Sequence, residues 1–187
     1  MMEATLRKSD YDVRPCSITA ARLLVESLHY AGGASNTATD LHGLWEGEQL
    51  LGVAWWLPTT RRAAESVAGE NWRRCVALSR LAIHPDVPKN GCSFLLGASE
   101  RLLRRDGRWD VLVTWADQGQ GHTGAIYRAC NWEYLGVVKG EVRWRAPDGR
   151  IMSRKRGKRS YSRAEMIAMG YTPEGPFPKH KFRKVIR

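Results

Sequence analysis

The sequence predicts one mixed α/β domain, and three features carry that prediction. From Val76 to Val138 the chain reads strand, helix, strand, helix, strand, a succession that builds layered α/β structures. The stretch Asp110–Ala116 (DVLVTWA) is apolar almost without interruption, as expected of a strand covered on both faces. At 187 residues, 43% hydrophobic and 26% charged, the chain is long enough to bury a core without disulfides or metals.

Ser17 is placed to cap a helix from Ile18 to His29, whose small and apolar face is Ala20, Ala21, Leu23, Leu24, Ser27 and Leu28; Ala31-Gly32-Gly33 breaks it. LHGLWEGEQLLGVAWWLP, residues 41–58, reads as a hairpin turned at Glu46-Gly47-Glu48 and stopped by Pro58. Thr59–Arg74 is a polar connection with helical character. In the strand Val76–His84, alternation puts Val76, Leu78, Arg80, Ala82 and His84 on one face. Arg80 thus stands in a mainly apolar row, an unfavourable position without an anionic partner.

VPKNGCSFLLGASERLL, residues 87–103, is a turn feeding a helix over Ser93–Arg105, with Phe94, Leu95, Leu96, Leu102 and Leu103 at helical spacing. Arg101, Arg104 and Arg105 lie at its far end, where cations suit the dipole. After the strand ending at Ala116 come a loop loosened by Gly119 and Gly121, a short helix His122–Cys130 capped by Asn131, and a strand Trp132–Val138. Residues 142–154 (VRWRAPDGRIMSR) form a second hairpin, turned at Pro147-Asp148-Gly149. Ser162 and Glu165 have capping-box spacing for a short helix closed by Gly170, and TPEGPFP leads to a last strand, His180–Ile186. No repeat or separating linker interrupts this order. Residues 1–142 therefore form the predicted core, and 143–187 a basic C-terminal extension of the same domain.

Charge narrows the function class. Residues 1–142 hold 16 basic and 16 acidic side chains, whereas 143–187 hold 14 against 3, so the whole formal charge of +11 lies in the last quarter. Arg154, Lys155, Arg156, Lys158 and Arg159 are its densest run. Such a run is either a solvated tail or a surface for a polyanion, and so complete an asymmetry favours nucleic acid bound in a salt-sensitive way. Cys16, Cys75, Cys92 and Cys130 show no CxxC pairing and read as reduced thiols. The histidines are equally scattered, so spacing names no metal ligand, and a metal assembled in space stays open. No apolar run nears the roughly 20 residues that cross a bilayer, and Met1–Asp10 lacks the apolar core of a signal peptide. A cytoplasmic protein with no membrane partner is expected.

A strand ending near HPD, a Gly-containing turn opening a helix, an apolar strand and a helix ending in IYRACNWEYLG together resemble the GNAT acyltransferase fold. The resemblance implies a GNAT-like mixed sheet flanked by helices. In that family the turn after the fourth strand holds the coenzyme A pyrophosphate, which implies this role for Asn90, Gly91 and Ser93. A Tyr of the later helix lies near the thioester sulfur, the position matched by Tyr127. Typical members carry Gln/Arg-x-x-Gly-x-Gly/Ala in the turn. Here Pro88-Lys89-Asn90-Gly91-Cys92-Ser93 takes its place, which implies a reshaped cradle using side-chain donors of Asn90 and Ser93. As residues alone, these also read as a plain helix cap.

A narrower resemblance covers most of residues 29–136. HY at the end of the first helix, GVAWWLP, LSRLAIHPD, KNGCSFLLG, TWAD, GHTGAIYRACNW and EYLG, in that order, are similar to the Mom family of phage DNA-modification proteins. These are GNAT-related enzymes that convert adenine in DNA to its N6-carbamoylmethyl form and so block host restriction. The resemblance implies that double-stranded DNA is the partner, that Arg80 and Asp117 line the reaction cleft and that His29 and Tyr30 border it. Asp117 also follows the carboxyl end of an apolar strand, where open α/β sheets place ligand sites. The competing reading is a buried Arg80–Asp117 ion pair that stiffens the core.

In the catalytic reading Asp117 accepts a proton from the adenine amino group or orients it, while Arg80 holds an anionic donor or a developing oxyanion. His29 and Tyr30 serve equally as capping or packing groups, and His122 is either a polar helix start or an acid/base. Trp55, Trp56 and Trp132 read as core or cleft wall, the alternative being a platform for a flipped adenine. The expected donor is acetyl-coenzyme A or another activated two-carbon, glycine-like group. Two other functions fit the same residues: a GNAT N-acetyltransferase acting on a protein or small amine, and a non-enzymatic basic DNA-binding protein on a degenerate GNAT scaffold.

Overall fold

The computed structural model describes residues 5–29, 35–140, 142–156 and 158–187. Its elements are β1 (Asp12–Pro15), α1 (Ile18–Leu28), β2 (Asp40–Glu46), β3 (Gln49–Leu57), α2 (Arg61–Ala68), β4 (Cys75–Ile83), α3 (Gly91–Asp106), β5 (Val111–Asp117) and α4 (Ala125–Ala129). There follow β6 (Glu133–Val138), β7 (Arg143–Arg145), β8 (Ile151–Met152), β9 (Lys155–Arg156), β10 (Arg159–Ser160), α5 (Arg163–Ala168), β11 (Thr172–Glu174) and β12 (Lys179–Val185). The mixed α/β architecture is as predicted. One seven-stranded sheet has the order β1-β2-β3-β4-β5-β12-β6, antiparallel from β1 to β4 and parallel between β4 and β5. Two small sheets, β11-β7-β8 and β9-β10, accompany it.

The chain forms two compact units. The first comprises Met1–Thr114, Gly124–Tyr134 and Phe182–Arg187; the second comprises Trp115–Thr123 and Leu135–Lys181.

The first unit is organised around β3. Val53, Ala54, Trp55 and Trp56 are all fully buried, because alternate residues meet different helices. Val53 and Trp55 pack with Ala21 and Val25 of α1, while the Trp56 indole reaches Ser99 of α3. The indole N–H groups are satisfied by Thr37 O, Ser99 Oγ and, for Trp132, Glu100 Oε1. These three tryptophans are therefore core, and none is a platform for a base. The α1 face differs from the predicted one. Leu23 is 66% exposed and Ser27 exposed, whereas Val25, omitted from that face, is completely buried. Ile18, Ala21 and Val25 keep helical spacing; the sequence places polar and apolar residues too evenly here to choose the stripe.

A buried polar chain joins β2, β3 and α3. Ser99 Oγ accepts from Trp56 Nε1 at 2.8 Å and lies 2.7 Å from His42 Nδ1, where the hydroxyl's remaining lone pair or its proton completes a second hydrogen bond according to the ring's tautomer. Burial holds the His42 pKa below its ordinary value, against the raising influence of Asp40 and Asp106. Unfolded His42 titrates near pH 6.5, so below that pH the unfolded chain takes up a proton that the folded chain refuses. The contribution of this ring is complete above about pH 6.5 and is lost as pH falls toward the depressed folded value. We expect the urea midpoint to drop between about pH 7.5 and about pH 5.5, and His42→Asn to flatten that part of the profile.

The second unit contains β7, β8 and β11, the β9-β10 hairpin and α5, with Trp144 and Met166 buried in it. The hairpin predicted for residues 142–154 is present, with Trp144 opposite Met152 and the turn closed by Ala146 N–H to Arg150 O at 2.8 Å. The capping box is also present: Glu165 N–H donates to Ser162 Oγ at 3.2 Å, and Ser162 N–H to Glu165 Oε2 at 2.7 Å. Asp148, Glu165 and Glu174 pair with Arg150, Arg159 and Arg145 respectively.

Candidate functional site

In the first unit, β4 departs from strict alternation. Trp55 pairs with Arg80 and Trp56 with Leu78, so Ser79 is the extra residue of a β-bulge. Residues directly opposite share a face, which puts Arg80 and Ala82 on the Trp55 side of the sheet and Leu78 on the other. The expectation that Leu78 and Arg80 share a face is thereby corrected. Arg80 is half-buried, and its Nη1 donates to the Ser79 carbonyl at 2.7 Å.

The β4–β5 ladder runs from Cys75–Val111 to Ala77–Val113. One residue on, the Leu78 carbonyl accepts the Thr114 hydroxyl at 3.2 Å, and the Tyr127 hydroxyl lies 3.4 Å from that same Thr114 oxygen. Tyr127 packs against Trp132 and Phe182, with centroids at 5.5 and 5.3 Å. Its hydroxyl is therefore held at the end of the parallel ladder.

The turn before α3 is anchored by Leu6 N–H to Lys89 O at 3.0 Å. The helix starts at Gly91, two residues before the predicted start, because Asn90 takes a left-handed conformation (φ 74°) that Asn tolerates. Asn90 makes no side-chain cap, so the plain capping reading does not hold for it. The Ser93 hydroxyl donates to the Asn90 carbonyl at 2.9 Å, and Gly91 N–H to Pro88 O at 3.1 Å. By the geometry of every helix start, the amides of Cys92 and Ser93 have no acceptor within the helix. Burial pushes the Cys92 thiol up to about 11, so it stays protonated at neutral pH.

Gly91 is required by packing. A Cβ there would clash with Val87 Cγ1 and stand 3.0 Å from Ile83 Cδ1. Gly91→Ala is expected to destabilise by about 1–3 kcal/mol, and Val87→Ala in the same chain to recover much of it. Urea denaturation of both variants checks this; equal midpoints would remove the steric account.

His29 closes α1, its N–H donating to Val25 O at 2.8 Å. Tyr30 lies outside the described residues.

In the second unit Asp117, only 5% exposed, ends β5. Its Oδ1 accepts Gly119 N–H at 2.9 Å, and its Oδ2 pairs with the Arg143 guanidinium. Arg143 Cζ stands 4.8 Å over the Phe177 ring, and Phe177 packs so closely on Gly119 that a Cβ there would come within 2.7 Å of Cγ. Asp117 is thus fixed in orientation while each oxygen retains acceptor capacity. Arg143 was not among the residues expected from sequence; among 14 basic residues in its segment, nothing local distinguishes it.

His122 is exposed in the loop before α4, its N–H donating to the Asp117 carbonyl at 3.2 Å. The helix expected from His122 begins only at Ala125, after Gly124 with φ 77°. Asn131, also left-handed at φ 59°, follows the helix end as expected. Of the basic run, Lys155 and Lys158 are exposed. Arg154 Nε donates to Tyr161 O at 2.8 Å, and Arg159 pairs with Glu165 at 3.0 Å. Arg156 belongs to β9. Among the described residues, no three His, Cys, Asp or Glu side chains converge as a metal site, and no helix is long and apolar enough to cross a membrane.

The fold is that of the GNAT acetyltransferases. The chain is similar to an N-acetyltransferase of Staphylococcus aureus Mu50 at 10% identity, covering 95% of this chain and 99% of that one, with a TM-score of 0.59. It is similar to the spermidine N-acetyltransferase of Vibrio cholerae, solved with coenzyme A and spermine, at 8% identity over 95% and 96% of the two chains, TM-score 0.58. A Bacillus subtilis acetyltransferase solved with coenzyme A gives 9% identity over 94% and 97%, TM-score 0.55. Within this class the match is narrower: the Mom protein family covers residues 10–184, and the chain belongs to that family. It is 28% identical over 131 residues to the methylcarbamoylase mom of Escherichia phage Mu, a match spanning 66% of this chain and 53% of that protein. The chain therefore spans about half the length of this relative.

Proposed function

We propose that this chain is a DNA-modification transferase that converts adenine in phage DNA to N6-carbamoylmethyladenine and so protects it from restriction, acting in the host cytoplasm. Family membership over residues 10–184 is the observation that carries the reading. In this reading the first unit receives the donor. The Cys92 and Ser93 amides of α3 face its phosphates, Tyr127 stands by the activated carbon, and Arg80 holds the anionic part. Relatives of the fold solved with coenzyme A support an acyl-coenzyme A-type donor.

The product requires a methylene on N6 with the amide at its far end. Attack on an acetyl thioester would instead join N6 to the carbonyl carbon and release the thiol. The reaction therefore needs either a glycine-like two-carbon unit that keeps its own nitrogen or a further activation step that gives the methylene a leaving group. Asp117, aimed by Gly119 and Arg143, accepts the N6–H and orients the amino group for attack. The basic segment 143–187 holds the DNA.

DNA from bacteria expressing the chain, digested to nucleosides and read by mass spectrometry, tests this. Deoxyadenosine bearing a carbamoylmethyl group is expected, and should be lost with Asp117→Asn. Unmodified adenine from folded protein would overturn the reading, and acetylated protein or polyamine in those cells would transfer it to N-acetylation.

A further inference from the structure

The second unit holds a cavity of about 580 Å³ bounded by Arg143, Ser153, Arg154, Lys155, Ser160 and Lys179, with Phe177 in its wall. Four of these side chains are cationic and none is acidic. Asp117 offsets Arg143, but among the described residues neither Lys155 nor Lys179 has a carboxylate partner. Lys179 is moreover half-buried. Arg154 and Lys155 stand exposed at its rim, and cations gathered around one recess repel one another, an arrangement stabilised when an anion enters. The hydroxyls of Ser153 and Ser160 add donors of the kind that bind phosphate oxygens.

We infer that this cavity grips the phosphodiester backbone of the DNA strand that carries the target adenine. The volume admits a nucleotide unit and not merely one phosphate. The cations also continue beyond it. Ser160 pairs with Lys155 across the β9-β10 hairpin, whose turn carries Lys158, with Arg159 beside it. A polymer can use both the cavity and the hairpin; a free nucleotide can use only the first. Arg143, already immobilised by Asp117 and by the Phe177 ring, loses little freedom on binding a phosphate. Because that guanidinium is shared, a phosphate bound to it stands one side chain from Asp117.

The inference rests on the reading that the polymer acted on is DNA, and its test is kept separate from the modification assay. Anisotropy of a labelled single-stranded oligonucleotide and of its duplex, over a salt series, reads binding by the full chain. Lys155→Ala/Lys179→Ala is compared with Lys8→Ala/Arg62→Ala, which removes equal charge from exposed sites of the first unit. Matching urea midpoints establish that both are folded. The cavity pair is expected to weaken binding at least about tenfold and to lower the salt slope by about 1.5, the control by less than about twofold.

Equal losses in the two double variants, or none in the cavity pair, would overturn the inference even if adenine is modified in cells. Binding of deoxyadenylate at this site without oligonucleotide binding would also overturn it. Loss confined to the cavity pair would uphold it even if no modified adenine is found.

Discussion

Glu100→Ala is expected to destabilise the protein by about 3–5 kcal/mol, a large part of the stability of an ordinary domain. Glu100 lies buried on α3, where Oε1 accepts the Trp132 indole N–H at 2.6 Å and Oε2 takes the Lys184 ammonium at 2.5 Å. The same ammonium donates to the Cys130 carbonyl at 2.7 Å. Truncation leaves a poorly hydrated cation and an indole N–H without their acceptor, together with a void. Replacing both charges, as Glu100→Leu/Lys184→Met, is expected to recover only the part of the loss that comes from the unpaired cation, since the Trp132 N–H and the Cys130 carbonyl still lack their partners. Urea denaturation of the two single variants and the double variant measures the coupling. Strictly additive losses would show that the two charges do not depend on each other.

At Asp117 the largest effect is expected on product. If the carboxylate takes or orients the N6 proton, Asp117→Asn should lower carbamoylmethyladenine by about 10²- to 10⁴-fold. The amide still offers one oxygen, so it satisfies either Gly119 N–H or Arg143 but not both, and a stability cost of about 1–3 kcal/mol accompanies the loss. Arg143→Lys distinguishes aim from chemistry. It keeps a cation near Asp117 but loses the flat contact with Phe177, and a fall of about tenfold is expected. Product is read per folded protein by nucleoside mass spectrometry. Asp117→Asn with product within about twofold of the parent would leave Asp117 only a structural role.

What the sequence reveals here is mainly what neighbouring residues decide. The Gly47 turn, the Ser17 cap and the Ser162–Glu165 box are all present, because each is complete within a few residues. The Ser79 bulge is set by pairing with β3 more than 20 residues away, and alternation alone assigned Arg80 and Leu78 to one face. Asn90 looked like a side-chain cap because Asn is good at both tasks; packing of Gly91 against Val87 and Ile83 favours its left-handed backbone instead. Asp117 was legible from its place at a strand end, but Arg143, its partner, is separated by 26 residues and resembles its basic neighbours. The last strand was legible as a strand, though not its position within the sheet.

That position has a consequence for biosynthesis. β12 lies between β5 and β6, yet 40 residues, 139–178, are translated after β6 before β12 emerges. Until then a nascent chain on the ribosome carries two strand edges whose native partner does not exist, and such edges recruit other chains. Folding must therefore finish late and through non-local pairing, which is slow. Chains interrupted before residue 179 should collect as aggregates, so an unfinished copy supplies no partial activity.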